Sequence, residues 1–109
     1  MDIISKYYLE DGHLEPSDNY TEDSVEAGRI IYEVIRVIKR VPLFYEDHIK
    51  RLESSFRLME KPFSYTYEKI KEYLINLIEA NDIEFGNIKL TFDIKNDAMK
   101  VLGQLTKSE

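Results

Sequence analysis

An α+β domain, with a largely antiparallel sheet carrying a pair of helices, is the fold class that this sequence predicts. Three observations predict it. The stretch IIYEVIRVI (30–38) is dominated by β-branched residues, and NIKLTFDI (87–94) alternates strictly between apolar and polar side chains; both are strand signatures. Between them two stretches repeat their apolar residues every three to four positions, as amphipathic helices do;. Finally, 109 residues enclose one hydrophobic core and leave no room for a second, so these segments share a single domain spanning 1–109;.

Taken in order, IISKYYLEDGHLEP (3–16) reads as a hairpin turning at Asp11-Gly12, because glycine accepts the positive φ of a tight turn;. The polar, turn-rich run from Pro16 to Ser24 reads as a loop;. A long strand follows, and Lys39-Arg40 marks a turn into a short one;. Apolar residues on both of its faces predict a strand central in its sheet, covered at least partly on each side. The first helix buries Tyr45, Ile49, Leu52, Phe56 and Met59, and Pro62 is expected to end it;. The second starts after Thr66 as N-cap, buries Ile70, Leu74, Leu77 and Ile78, and stops near Asn81-Asp82;. Both helices should cover the sheet. After Gly86, Ile88, Leu90, Phe92 and Ile94 form a dry face, with Lys89, Thr91 and Asp93 on a wet one;. Asn96-Asp97 turns the chain into a short last strand, Met99 to Leu102, followed by a polar tail, GQLTKSE;.

Composition narrows the function classes. With 43% hydrophobic and 33% charged residues the chain has globular composition, and its net charge of -6 opposes attachment to nucleic acid or to anionic lipid;. No apolar run reaches the length of a membrane span and the N-terminus lacks a signal-peptide pattern, so the cytoplasm is the expected location;. The absence of cysteine excludes disulfides and thiolate ligands, and His13 and His48 lie too far apart for a metal-ligand spacing;.

Residues that carry chemistry are few. On the long strand Tyr32, Val34 and Arg36 project to one face and Glu33, Ile35 and Val37 to the other. A phenol and a guanidinium beside a small apolar side chain suit an anion pocket, although the commoner role of such an arginine is to pair with a carboxylate at a sheet edge. Phe44, His48, Arg51 and Ser55 form a row flanking the buried stripe of the first helix, which sets Arg51 at the border of core and solvent. That position suits an anion ligand, and it equally suits an arginine stem covering the core. His48 has a structural reading as well. No trio of nucleophile, base and orienting group emerges, so no catalytic residue is assigned.

The stretch IIYEVIRVIKRVPLFYEDHIKRLESSFRL (30–58) resembles class IV aminotransferases, the pyridoxal-phosphate enzymes that include branched-chain and D-amino-acid aminotransferases and aminodeoxychorismate lyase. The resemblance rests on the strand motif, the hairpin length, and a helix opening with His48-Ile49-Lys50-Arg51-Leu52. It continues more loosely through the second helix and GNIKLTFDI, and corresponds to the smaller N-terminal domain of those enzymes. It implies that Arg51 grips the phosphate of pyridoxal 5′-phosphate with His48 beside it, and that Tyr32, Val34 and Arg36 line the pocket for an amino acid or 2-oxo acid. A homodimer is the assembly it implies. The family's Schiff-base lysine belongs to a C-terminal domain that this chain does not reach, and Lys69, Lys89 and Lys95 stand in no matching context. VEAGRII (25–31) also lacks the aromatic-Gly-Asp-Gly pattern common in the family, and KNDAMKVLGQLTKSE (95–109) lacks its carboxylate-binding arginine loop. The expectation is a chain inactive alone that binds the cofactor weakly at best. Two other readings stand beside it: an interaction module that kept the fold and lost the chemistry, and a complete small enzyme using Tyr32, Arg36 and His48.

Overall fold

The structure, a computed structural model, describes residues 6–20 and 30–104. Eight regular elements follow one another: β1 (Tyr7–Glu10), β2 (His13–Pro16), β3 (Ile30–Ile38), β4 (Val41–Pro42), α1 (Tyr45–Leu58), α2 (Tyr67–Asn81), β5 (Phe85–Asp93) and β6 (Ala98–Gln104). The strands form one six-stranded sheet in the order β2-β1-β6-β5-β3-β4. Every pairing in it is antiparallel. This is the α+β architecture that the two periodicities predicted.

Local chemistry explains the turns. Asp11 and Gly12 both take positive φ, 51° and 87°, the geometry of a two-residue hairpin between β1 and β2;. At Gly12 a Cβ would lie 3.0 Å from the Tyr73 hydroxyl of α2, so glycine meets a close approach as well as a turn. Lys39 and Arg40 repeat the arrangement between β3 and β4 at φ 51° and 67° without glycine. The loop expected from Pro16 to Ser24 opens with Pro16 still in β2 and a 3₁₀ turn at Ser17–Asn19, and positions 21–24 lie outside the described residues.

Both helices end in the same way. The backbone N–H of Lys61 donates to Phe56 and that of Glu60 to Arg57, with Glu60 at φ 56°; this is a Schellman motif closing α1 at Leu58, before Pro62 is reached;. Pro62 follows the stop and does not cause it. In α2 the N–H of Ile83 donates to Ile78 and that of Asp82 to Glu79, with Asp82 left-handed at φ 53°. Thr66 caps the start of α2 as expected, its Oγ1 accepting from the Lys69 N–H at 3.0 Å;. At the other end of α2, Asn81 accepts from the N–H of Tyr7 at 2.9 Å and donates to its carbonyl at 3.1 Å, standing in for a strand partner to β1.

The main core lies between the helices and one face of the sheet, while Tyr8 and Leu102 are buried on the other face. Helix α1 packs on β3, and α2 on β1 and β6. Leu52, Ile70, Leu74 and Leu77 are fully buried against Ile35, Ile88, Leu90 and Val101 of the strands. Three expectations need correction. β3 is not central: it lies beside the edge, with β4 pairing only Val37 and Ile38, although both of its faces are at least partly covered, Ile31, Glu33, Ile35 and Val37 being buried on one and Val34 and Arg36 half-buried on the other, where Tyr32 is 61% exposed. The wet face of β5 is partly closed, with Thr91 buried because it stands opposite Tyr32 and Lys100, whose long side chains flank it. β5 starts at Phe85, and β6 continues to Gln104 because the long β5 ladder still offers Ile88 and Asn87 as partners to Gly103 and Gln104.

Candidate functional site

Tyr32, Val34 and Arg36 do share a face, the one turned away from the helices. The β3–β5 register sets Thr91 opposite Tyr32, Lys89 opposite Val34 and Asn87 opposite Arg36. The Lys89 ammonium lies 5.5 Å from the centre of the Tyr32 ring, within range of a cation–π contact;. A phenol, a guanidinium, an ammonium and an amide thus project from neighbouring positions, a donor-rich surface suited to carboxylate or phosphate groups.

His48 and Arg51 lie on the opposite side of β3. They are one helical turn apart on α1, and that spacing aims both at a single acceptor, Glu33. The Glu33 carboxylate sits 2.5 Å from Nδ1 of His48 and 3.6 Å from the guanidinium of Arg51. Glu33 is only 7% exposed, and among the described residues no other carboxylate, ammonium, guanidinium or imidazole is buried. A carboxylate so placed needs cationic or hydrogen-bonding partners, because water cannot solvate it. An ionised carboxylate only accepts hydrogen bonds, so against an ionised Glu33 the donor is an Nδ1–H of His48. Arg51 meets Glu33 as an ion pair at a distance too long for a hydrogen bond, so this contact uses up none of its N–H donors;. Its side chain is 67% exposed, the border position expected from the helix period.

The five candidate residues therefore do not all lie on one face of β3. Alternation along β3 divides them: His48 and Arg51 gather round Glu33 on the helix side, and Tyr32, Val34 and Arg36 stand on the open side. The outer edge of β3 joins the two sides. β4 pairs only with Val37 and Ile38, so among the described residues the edge from Ile30 to Arg36 has no strand beside it. Glu33 itself was not singled out from the sequence. The available signal was an acidic residue in the otherwise apolar series Ile31, Ile35, Val37, followed by a helix carrying two basic groups one turn apart.

A surface cleft of about 410 Å³ lies elsewhere, lined by Val41, Phe44, Tyr45, Glu46, Tyr67 and Lys71 among others. None of the five candidates lines it. In its wall, burial above all, followed by the charges of Tyr67 and Glu68, raises the Tyr45 hydroxyl well above its ordinary value; that hydroxyl donates to the Tyr67 carbonyl at 2.5 Å.

The sequence pattern of the family described as amino-transferase class IV matches residues 30–107, which hold β3, both helices and the last two strands. The chain is 30% identical over 86 residues to D-alanine aminotransferase of Listeria monocytogenes, covering 75% of this chain and 30% of that protein. It is 27% identical over 96 residues to aminodeoxychorismate lyase of Bacillus subtilis, covering 86% of this chain and 31% of the relative. It therefore spans about three-tenths of the length of these relatives. In structure it resembles the branched-chain amino acid aminotransferase of Escherichia coli, with a TM-score of 0.79 at 16% identity, over 94% of this chain and 41% of that one. Since the family match spans the strand and helix that carry Glu33, His48 and Arg51, and the fold agrees, the chain belongs to the class IV aminotransferase family.

Proposed function

We propose that this chain is the N-terminal part of a pyridoxal-phosphate-dependent, class IV aminotransferase-like protein, in which Arg51 holds the cofactor phosphate with His48 in support, and Tyr32, Val34 and Arg36 border the substrate. One observation carries the reading: a guanidinium anchored to a buried carboxylate at 3.6 Å yet 67% exposed. An arginine tethered on one side and open on the other offers a planar fork of donors to a phosphate at low cost in side-chain entropy. The donor set thus fits the phosphate end of the cofactor. When bound, pyridoxal phosphate supplies an electron sink for carbanion chemistry at an amino acid. The residues described here bind and orient. Arg51 neutralises phosphate charge, His48 presents a fixed ring, and the Tyr32 face with Arg36 attracts the carboxylate of an amino acid or 2-oxo acid. Because the two sets lie on opposite faces of β3, a ligand pair touching both sits across the strand's outer edge.

The test is a titration of the protein with pyridoxal phosphate, followed by absorbance, for the native chain and for Arg51→Ala. Loss of binding with retained helix content is expected. Equal affinity in the two proteins removes Arg51 from the phosphate site and overturns the reading.

A second reading is favoured by a separate observation. Val41, Ile38 and Phe85 stand directly opposite one another on the open face, with Val41 55% and Phe85 42% exposed. An apolar row of this kind suits an interaction module that pairs with a second copy. Light scattering distinguishes it: a dimer dispersed by Phe85→Glu supports this reading, and a monomer at all concentrations rejects it.

A further inference from the structure

Among the described residues Glu33 is the one buried charged side chain, a carboxylate withdrawn from water in the middle of a strand whose neighbours on that face are Ile31 and Ile35;. Packing alone would favour an aliphatic residue there, since buried charges replaced by well-fitting apolar groups commonly leave stability unchanged or improved. Its surroundings show what it does. One carboxylate oxygen, Oε2, faces Nδ1 of His48, and the other, Oε1, faces the guanidinium of Arg51. The Glu33 side chain is 8% exposed and that of His48 15%, whereas Arg51 is 67% exposed. The carboxylate is thus the fixed inner point, held by the β3–β5 ladder on either side through Tyr32↔Thr91 and Val34↔Lys89, and the arginine is the outward arm.

We propose that Glu33 is a positioning residue for anion binding by this chain: it fixes the His48 ring with Nδ1–H turned inward and orients the Arg51 guanidinium toward phosphate. The inference rests on the cofactor reading of Arg51 and extends it to a residue that touches no ligand. A long, flexible arginine side chain loses rotamer freedom when it binds, and a carboxylate that restrains it beforehand removes part of that cost. Because the 3.6 Å ion pair consumes no donor, restraint is obtained without competition for the phosphate;. The carboxylate also lowers the net positive charge of the cluster, so its effect on affinity is favourable only through orientation, and that makes the role testable.

The experiment combines nitrogen NMR of the histidine ring and of the arginine side chains with titration by pyridoxal phosphate and, separately, by inorganic phosphate. In the native chain the His48 resonances should show the proton on Nδ1; a proton on Nε2 alone overturns the inference before any variant is made. Glu33→Gln, which keeps shape and removes charge, should broaden or collapse the restrained Arg51 signal and weaken pyridoxal phosphate binding about tenfold, as loss of an orienting partner does at metal sites. Glu33→Asp, which keeps the charge, should recover part of that loss. Unchanged or tighter binding in Glu33→Gln overturns positioning. If the native chain binds neither ligand, the cofactor reading fails separately, and the Arg51 signal decides the matter: restrained in the native chain and mobile in Glu33→Gln supports the inference, and identical signals reject it.

Discussion

At the scale of single residues, His48 and Arg51 were legible in the sequence because a helical turn brings positions three apart to one side whatever they pack against. Glu33 was legible only as a side chain opposed to Tyr32. Its burial follows from α1 lying over β3, a contact between segments that no local pattern encodes. Tyr45 is a similar case. The helix period marks it as buried, but the bond from its hydroxyl to the Tyr67 carbonyl joins the starts of two helices and depends on how they pack. Burial, the largest cause, with the Tyr67 and Glu68 charges, holds its folded-state ionisation above the ordinary 10.0. A raised tyrosine contributes stability that is complete below the unfolded value and is lost as the pH climbs toward the folded one. Urea midpoints should therefore stay level up to about pH 10 and fall beyond it. Tyr45→Phe should cost about 1 kcal/mol at neutral pH through the lost hydrogen bond and make the alkaline decline shallower. Tyr8 and Tyr65, also raised chiefly by burial, retain part of the slope. An equally steep decline in Tyr45→Phe would show that Tyr45 is not among its causes.

At the scale of elements, strand and helix identities were legible and their ends were not. Periodicity is a property of the chain itself, whereas an end depends on which backbone groups find partners. β6 outruns its apolar stretch because β5 still presents ladder partners. α1 stops short of Pro62 because Glu60 adopts the left-handed conformation that glycine usually supplies, and a glutamate there announces nothing. That mismatch yields a prediction. The left-handed region costs a residue with a Cβ roughly 1–2 kcal/mol, partly offset by the larger chain entropy that glycine brings to the unfolded state. Glu60→Gly should thus raise stability by about 0.5–1 kcal/mol, read as a higher urea midpoint with an unchanged slope. A drop in the midpoint would mean that the Glu60 side chain holds the stop through contacts of its own.

At the scale of the whole molecule, the sheet carries helices on one face and leaves the other partly open, with Tyr32, Val41 and Phe85 exposed on it. Its stability rests on a single layer of contact between helices and strands. Leu74, with no exposure, lies in that layer, and Leu74→Ala should cost about 2–5 kcal/mol, since a cavity remains where the side chain was;. Thermal unfolding checks it, and a shift of only a degree or two would mean that the layer collapses to fill the gap. The sequence by itself determined the α+β class, the order of elements, the buried stripes of both helices and the motif shared with class IV aminotransferases, because period and turn chemistry act within a few residues. Only the tertiary structure decided that helices cover one face of β3, that Glu33 lies buried between His48 and Arg51, and that these stand across the sheet from Tyr32, Val34 and Arg36. Alternation fixes which side chains share a face, but which face is covered depends on contacts between segments far apart in the chain.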